Sequence, residues 1–292
     1  MKKLFLLFAA ALLMFSCGEK KPENQQDKEE KKVIIPPGMP VAPTSQPLPQ
    51  TQGDPNMPVL SLEEGKPLDL SQLRGGQRKT FGEQAAEQID TIRYKAEHGN
   101  ADYEYLYAAC LENGWGVEEN VTQSLAWYKK AADHEQKAAY NSIGNFYRLG
   151  MGVKPDEKEA FKWFQKGAKA NDAQAMLNLG NCYYYGMGTE TDVNKAVELW
   201  QQSADNGNAF ALAQMGDCYL YGVGVEKNLD KAVEYLTQAS DRNVEGAQYR
   251  LGILYYTGHG VKQDLVYSKL LMTKARDAGM PEAEAFMEKN FK

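Results

Sequence analysis

Residues 139–168 read AYNSIGNFYRLGMGVKPDEKEAFKWFQKGA, and this stretch decides the fold. Its Gly150-Met151-Gly152 is one of five Gly-x-Gly motifs. The others are Gly114-Trp115-Gly116, Gly186-Met187-Gly188, Gly222-Val223-Gly224 and Gly258-His259-Gly260, each beginning 36 residues after the last. A fixed period of this length is the mark of a stacked repeat rather than a single closed core. Around the glycines the same register carries Ala139, Ala175, Ala211 and Ala247, then Ile143, Leu179, Met215 and Leu251. Next come Gly144, Gly180, Gly216 and Gly252, with Ala108 one period earlier, and then Tyr147, Tyr183, Tyr219 and Tyr255. Steps of 4, 1 and 3 residues set these side chains on one helical face. The small residue lets a neighbouring helix approach closely, and the Tyr is expected to fill the gap beside it.

The paired glycines end this first helix, since Gly readily adopts the left-handed conformation of a helix C-terminus. Six residues past the first Gly stands Asn120, Asp156, Asp192, Asn228 or Asp264. Asn and Asp are strong N-caps, because the side chain accepts from backbone N–H groups that lack a helical partner. A second helix therefore starts there, with Ser124/Ala160/Ala196/Ala232/Ser268 and Trp127/Trp163/Leu199/Tyr235/Leu271 in register. Each unit reads as helix A, a glycine turn, an Asx-capped helix B and a short turn. The fold class is all-α: an α-α superhelix, or solenoid, of helix-turn-helix repeats.

This pattern resembles the Sel-1-like repeat, a relative of the tetratricopeptide repeat. The resemblance rests on Ala139 to Val153, then Asp156, Ala160, Trp163, Lys166 and Ala168, and extends over roughly residues 84–292. Local departures are Ala108 and Leu111 in the first copy, Thr189 in the third, and Ser268 and Leu271 in the fifth. Residues 84–98 align with helix B and residues 281–291 with helix A. Ala283, Met287 and Phe291 take the Ala, Leu and Tyr positions, and Glu288 takes the Gly position. A charge there suits a terminal cap against which nothing packs. Five units are thus expected between two half-unit caps, in a repeat domain spanning 81–292.

The N-terminus is an address. Lys2 and Lys3 precede an apolar run from Leu4 to Phe15, then Ser16-Cys17, the polarity of a secretory leader. A cysteine at this point resembles a bacterial lipoprotein signal, with Met14 and Phe15 departing from the usual box. Residues 1–16 are read as the signal peptide and Cys17 as the lipid attachment site, against an ordinary leader with an incidental cysteine. Acylation on several chains suffices for a stable membrane anchor. Gly18 after the cysteine resembles delivery to the outer membrane, so the expected location is the bacterial envelope. Residues 17–80 read as a disordered tether: ten of the chain's twelve prolines lie between Pro22 and Pro67, and Lys20–Lys32 is a mixed-charge run. Such a tether reaches at least roughly 45 Å. The less polar Val59–Leu73 could dock on the array or on a partner.

Chemistry is sparse. The formal net charge of −6 argues against nucleic acid as a partner. No run of 18 apolar residues exists. Cys110, Cys182 and Cys218 share one helix A position, and that spacing is too wide for disulfides among them, so they read as core. His98 and His134, one period apart, are likewise too far apart to share a metal. No His-Glu-x-x-His, Cys-x-x-Cys, P-loop or Rossmann fingerprint occurs. Some members of the family it resembles are linked to penicillin binding or weak β-lactamase activity, yet no Ser here has Lys three residues on. The chain reads as a non-enzyme without cofactors, and as a monomer.

The remaining signal lies on helix A, which in tetratricopeptide proteins lines the concave groove. Just after the repeat Gly stand Asn145, Asn181 and Asp217. Two before it are Ser142, preceded by Asn141, then Asn178, Gln214 and Arg250. Four after it are Arg148, Tyr184, Leu220 and Tyr256. An amide ladder with flanking tyrosines suits an extended peptide, while the plainer reading is a solvated polar face. Two functions stay open: a membrane-tethered scaffold that binds a protein or extended peptide partner, or an envelope enzyme or glycan-binding accessory near peptidoglycan. Glu112 and Asp217 are the plausible acids for the second, and they lie three units apart.

Overall fold

The computed structural model describes residues 81–291. The leader, Cys17, the tether and Val59–Leu73 lie outside them. The described residues form thirteen α-helices and no strand. A short α1 (Phe81–Glu87) and α2 (Ile89–Glu97) precede five helix pairs. The pairs are α3 (Ala101–Asn113) with α4 (Val121–Asp133), α5 (Lys137–Leu149) with α6 (Glu157–Lys169), and α7 (Ala173–Tyr185) with α8 (Val193–Asp205). Then come α9 (Ala209–Tyr221) with α10 (Leu229–Asp241), and α11 (Glu245–Thr257) with α12 (Leu265–Asp277). A final α13 (Pro281–Asn290) packs on α12. No helix among the described residues is long and apolar enough to cross a membrane.

Both glycines of each motif are needed, for different reasons. The first is the left-handed C-cap of helix A in all five units, as at Gly150 with φ 73°. The second also has positive φ, and it has no room for a side chain. A Cβ on Gly116 would lie 2.7 Å from the Ala86 backbone, and one on Gly260 would lie 2.9 Å from Leu229 Cβ. The second glycine therefore seats the turn on α1 in the first unit and on the start of the preceding helix B in the other four. Each Asx cap then closes the turn twice. The Asp156 N–H donates to the Tyr147 carbonyl at 2.8 Å, and its carboxylate accepts from the Glu159 N–H at 3.0 Å. Asn120, Asp192, Asn228 and Asp264 cap their helices in the same way.

The repeat Gly is filled by a different residue from the one the pattern suggested. Opposite Gly144, Gly180, Gly216 and Gly252 sit Phe164, Trp200, Leu236 and Met272 of helix B. All four are essentially inaccessible to solvent. The tyrosines three residues after the Gly lie half-buried at the edge instead, as in the stacked Tyr219–Tyr235 pair with ring centroids 5.6 Å apart. The helix from 84 to 98 is also not continuous. It breaks at Gln88, and α1 brings Gly82 against the Trp115 indole. Ser268, a departure in sequence, packs as a regular match: its hydroxyl is buried and donates to the Gly252 carbonyl at 2.7 Å, as that of Ser124 does to the Ala108 carbonyl at 2.8 Å.

Candidate protein-interaction face

The A helices make one side of the stack. Among helices two apart, α5 touches α7 and α9 touches α11, so these A helices pack directly as well as through the B helices between them. Their polar residues meet at these joints. Asn141 and Asn178 are buried and bonded to each other, with the Asn178 amide donating to Asn141 Oδ1 at 2.7 Å. Asn181 is held by the Trp200 indole, whose Nε1 donates to its Oδ1 at 3.1 Å. Asp217, only 1% exposed, faces Arg250 of the next unit. The guanidinium Nε lies 2.7 Å from Asp217 Oδ1, near enough for an ion pair but not aligned as a hydrogen bond. Burial therefore outweighs the cation and pushes the Asp217 carboxyl up to about 7.

The expected open ladder is thus in part an internal seam. Of the ten A-helix residues singled out, Asn141, Asn178, Tyr184 and Asp217 are buried. Tyr184 packs against Tyr185 and Trp200, at centroid distances of 4.9 and 5.2 Å. Tyr256 is half-buried under α13, its ring edge-on to Phe286 and Phe291 and its hydroxyl 3.3 Å from Asn290. Polar groups at a helix–helix joint must find partners when buried, and the neighbouring unit supplies them. Asn145, Arg148, Asn181, Gln214 and Arg250 stay partly open. Arg148 reaches Asn145 Oδ1 through Nε at 3.4 Å and Nη2 at 3.3 Å. Burial lowers the pKa of its guanidinium from the ordinary value.

Other groups stay structural. Cys110, Cys182 and Cys218 are buried and free, and burial raises each thiol to about 12. Glu112 accepts from the Tyr128 hydroxyl at 2.7 Å, and burial raises its pKa against that bond. His134 Nδ1 lies 2.7 Å from the buried Glu104 carboxylate. No cluster of His, Cys, Asp and Glu among the described residues could hold a metal. One feature escaped the sequence reading: helix A is capped too. Asn100, Gln136, Asp172 and Asn208 each accept from the backbone of the first turn. They recur at the 36-residue period, so the register alone could have revealed them.

A solenoid of paired helices with small residues at each crossing defines a helical-repeat protein of the tetratricopeptide-like class. The Sel1 repeat matches residues 101–135, 137–172, 173–208, 209–244 and 246–280, and the chain belongs to the Sel1 repeat family. Sel1 repeats generally serve as protein–protein interaction scaffolds and are generally non-enzymatic. Among solved structures, the chain is similar to a protective antigen of uropathogenic Escherichia coli with an SLR fold, at 30% identity and a TM-score of 0.60. That similarity covers 75% of this chain and 47% of that one, so the chain spans about half the antigen's length. A Sel1 repeat protein of Oxalobacter formigenes is 28% identical with a TM-score of 0.62, covering 69% of this chain and 86% of that one. An immunity protein of Pseudomonas aeruginosa, 18% identical over 74% of this chain and 78% of that one with a TM-score of 0.50, shares the fold. No curated protein matches.

Proposed function

We propose that this chain is a bacterial lipoprotein, anchored through Cys17 at the outer membrane, whose Sel1 array recruits a partner protein along its A helices. The observation that carries the reading is the partly open line of Asn145 and Arg148 on α5, Asn181 on α7, Gln214 on α9 and Arg250 on α11 in an interaction-scaffold fold. The leader ending at Ser16-Cys17 supports the anchor, and residues 18–80 supply a spacer that holds the array away from the lipid. An extended segment of the partner is the favoured ligand, because side-chain amides and a guanidinium can pair with its backbone and side chains.

Two measurements test the two halves separately. Metabolic labelling with an alkynyl fatty acid should mark the wild type and leave Cys17→Ser unmarked. An unlabelled wild type in the soluble fraction would remove the anchor. A photo-crosslinking residue at Gln214 should capture a partner from native membranes, while one at Lys130 on helix B should not. Capture from Lys130 alone would move the binding face to the B helices.

A further inference from the structure

The partly open A-helix residues differ in what they lack. Arg148 is half-buried at the joint of α5 and α7, close enough to α7 for its charge to act on the Cys182 thiol. Among the described residues no carboxylate pairs with it. Its one partner is a single amide oxygen, Asn145 Oδ1, shared by two of its N–H groups at 3.3–3.4 Å. Long contacts of this kind leave most of a five-donor guanidinium unsatisfied. A partly desolvated cation without a counter-ion is costly, and a planar guanidinium matches a carboxylate through two parallel bonds. Arg250, three units along, repeats the theme: among the described residues its carboxylate partner is the buried Asp217, with Nε 2.7 Å from Oδ1. Both cations sit on A helices of a chain whose net charge is −6. That net charge disfavours acidic partners in general, so only a local cation such as these can select one.

We propose that Arg148, oriented by Asn145, is a carboxylate-binding point that selects an acidic extended segment of the partner protein. This rests on the scaffold reading given above and narrows it to one ligand chemistry. The Asn145 amide N–H groups stand beside the guanidinium and can donate to the same carboxylate or to the adjoining backbone carbonyl. Arg250 offers a second such point farther along the array.

The test uses the full-length protein and two fluorescein-labelled peptides. Each has about twelve residues, roughly 40 Å when extended. One alternates Glu with Ser and Tyr; the other carries Gln in place of every Glu. Fluorescence anisotropy should show the Glu peptide binding wild type about tenfold or more tightly than the Gln peptide, a preference that shrinks as salt rises. Arg148→Gln should remove most of that preference and leave the weak binding of the Gln peptide unchanged. Arg148→Lys should keep part of it, since charge survives but the fork does not. Melting curves of both variants show whether folding is intact, and the Glu-against-Gln comparison on wild type needs no variant. Equal binding of the two peptides would overturn the acidic preference while leaving an A-side groove in place. Binding of neither would overturn the proposal, with the crosslink from Gln214 then deciding the scaffold reading independently. Unchanged Glu-peptide affinity in Arg148→Gln would also overturn it.

Discussion

Asp217 shows how one residue can carry both structure and a measurable signature. Its equivalents in the two preceding units are Asn145 and Asn181, neutral amides that accept bonds from Arg148 and Trp200. Here a carboxylate takes the place, buried, with a single cation at 2.7 Å. Its ordinary pKa of 3.8 rises to about 7 because burial penalises the charged form more than Arg250 favours it. The sign follows from linkage. A group whose folded pKa lies above its unfolded pKa binds its proton more tightly in the folded state. Its contribution to stability is full below pH 3.8 and is lost as pH rises through about 7. The stability of wild type relative to Asp217→Asn should therefore fall between about pH 4 and pH 7, by roughly 1–4 kcal/mol. Denaturant melts of both proteins at several pH values measure this. A difference that grows with pH would mean that Arg250 dominates and the carboxyl is held down.

At the scale of the helix pair, stability is set by the knob in the hole. Gly180 has ordinary helical backbone, yet a Cβ there would lie 2.6 Å from the Trp200 indole and 3.1 Å from the Ala196 carbonyl. Trp200 is 1% exposed and tied to Asn181, so it has little freedom to move. Gly180→Ala should cost about 1–3 kcal/mol through overpacking, despite the better helix propensity of Ala. Gly207→Ala is the contrast: nothing lies within 4 Å of its Cβ, and the cost there comes from φ 87° alone. Comparable thermal unfolding of Gly180→Ala and wild type would show that the indole can shift. The same pair shows what the sequence made legible. Gly180, its period and the caps at Asp192 and its equivalents follow from backbone chemistry, which repeats with the residue type. The knob does not, because Tyr128, Phe164, Trp200, Leu236 and Met272 share burial rather than size or identity. The face of helix A was harder still. Asn141, Asn178 and Asp217 look solvent-bound in sequence, and only the approach of the next unit shows that their partners are internal.

Over the whole array each unit packs mainly on its neighbours, so stability is close to a sum of units and joints. The last joint illustrates the consequence. The final helix, α13, buries Ala283 against Met272 and Ala275 of α12, and brings Phe286, Met287 and Phe291 beside them. Phe286 and Phe291 also cover Tyr256 of α11. Ending the chain before Pro281 would expose Met272 and Ala275, both fully buried here, and leave the Tyr256 ring open. Losing half the burial of Met272, Ala275 and Tyr256 removes about 2–4 kcal/mol. A closed core would spread that loss over every residue. A stack confines it, because α3 to α8 make no substantial contact with α13. Hydrogen exchange read by mass spectrometry on the truncated chain should therefore show lost protection in α11 and α12, with α3 to α8 nearly unchanged. Uniform loss of protection along the whole array would mean that the five units unfold as one cooperative body, and the additive picture of joints would not describe this protein.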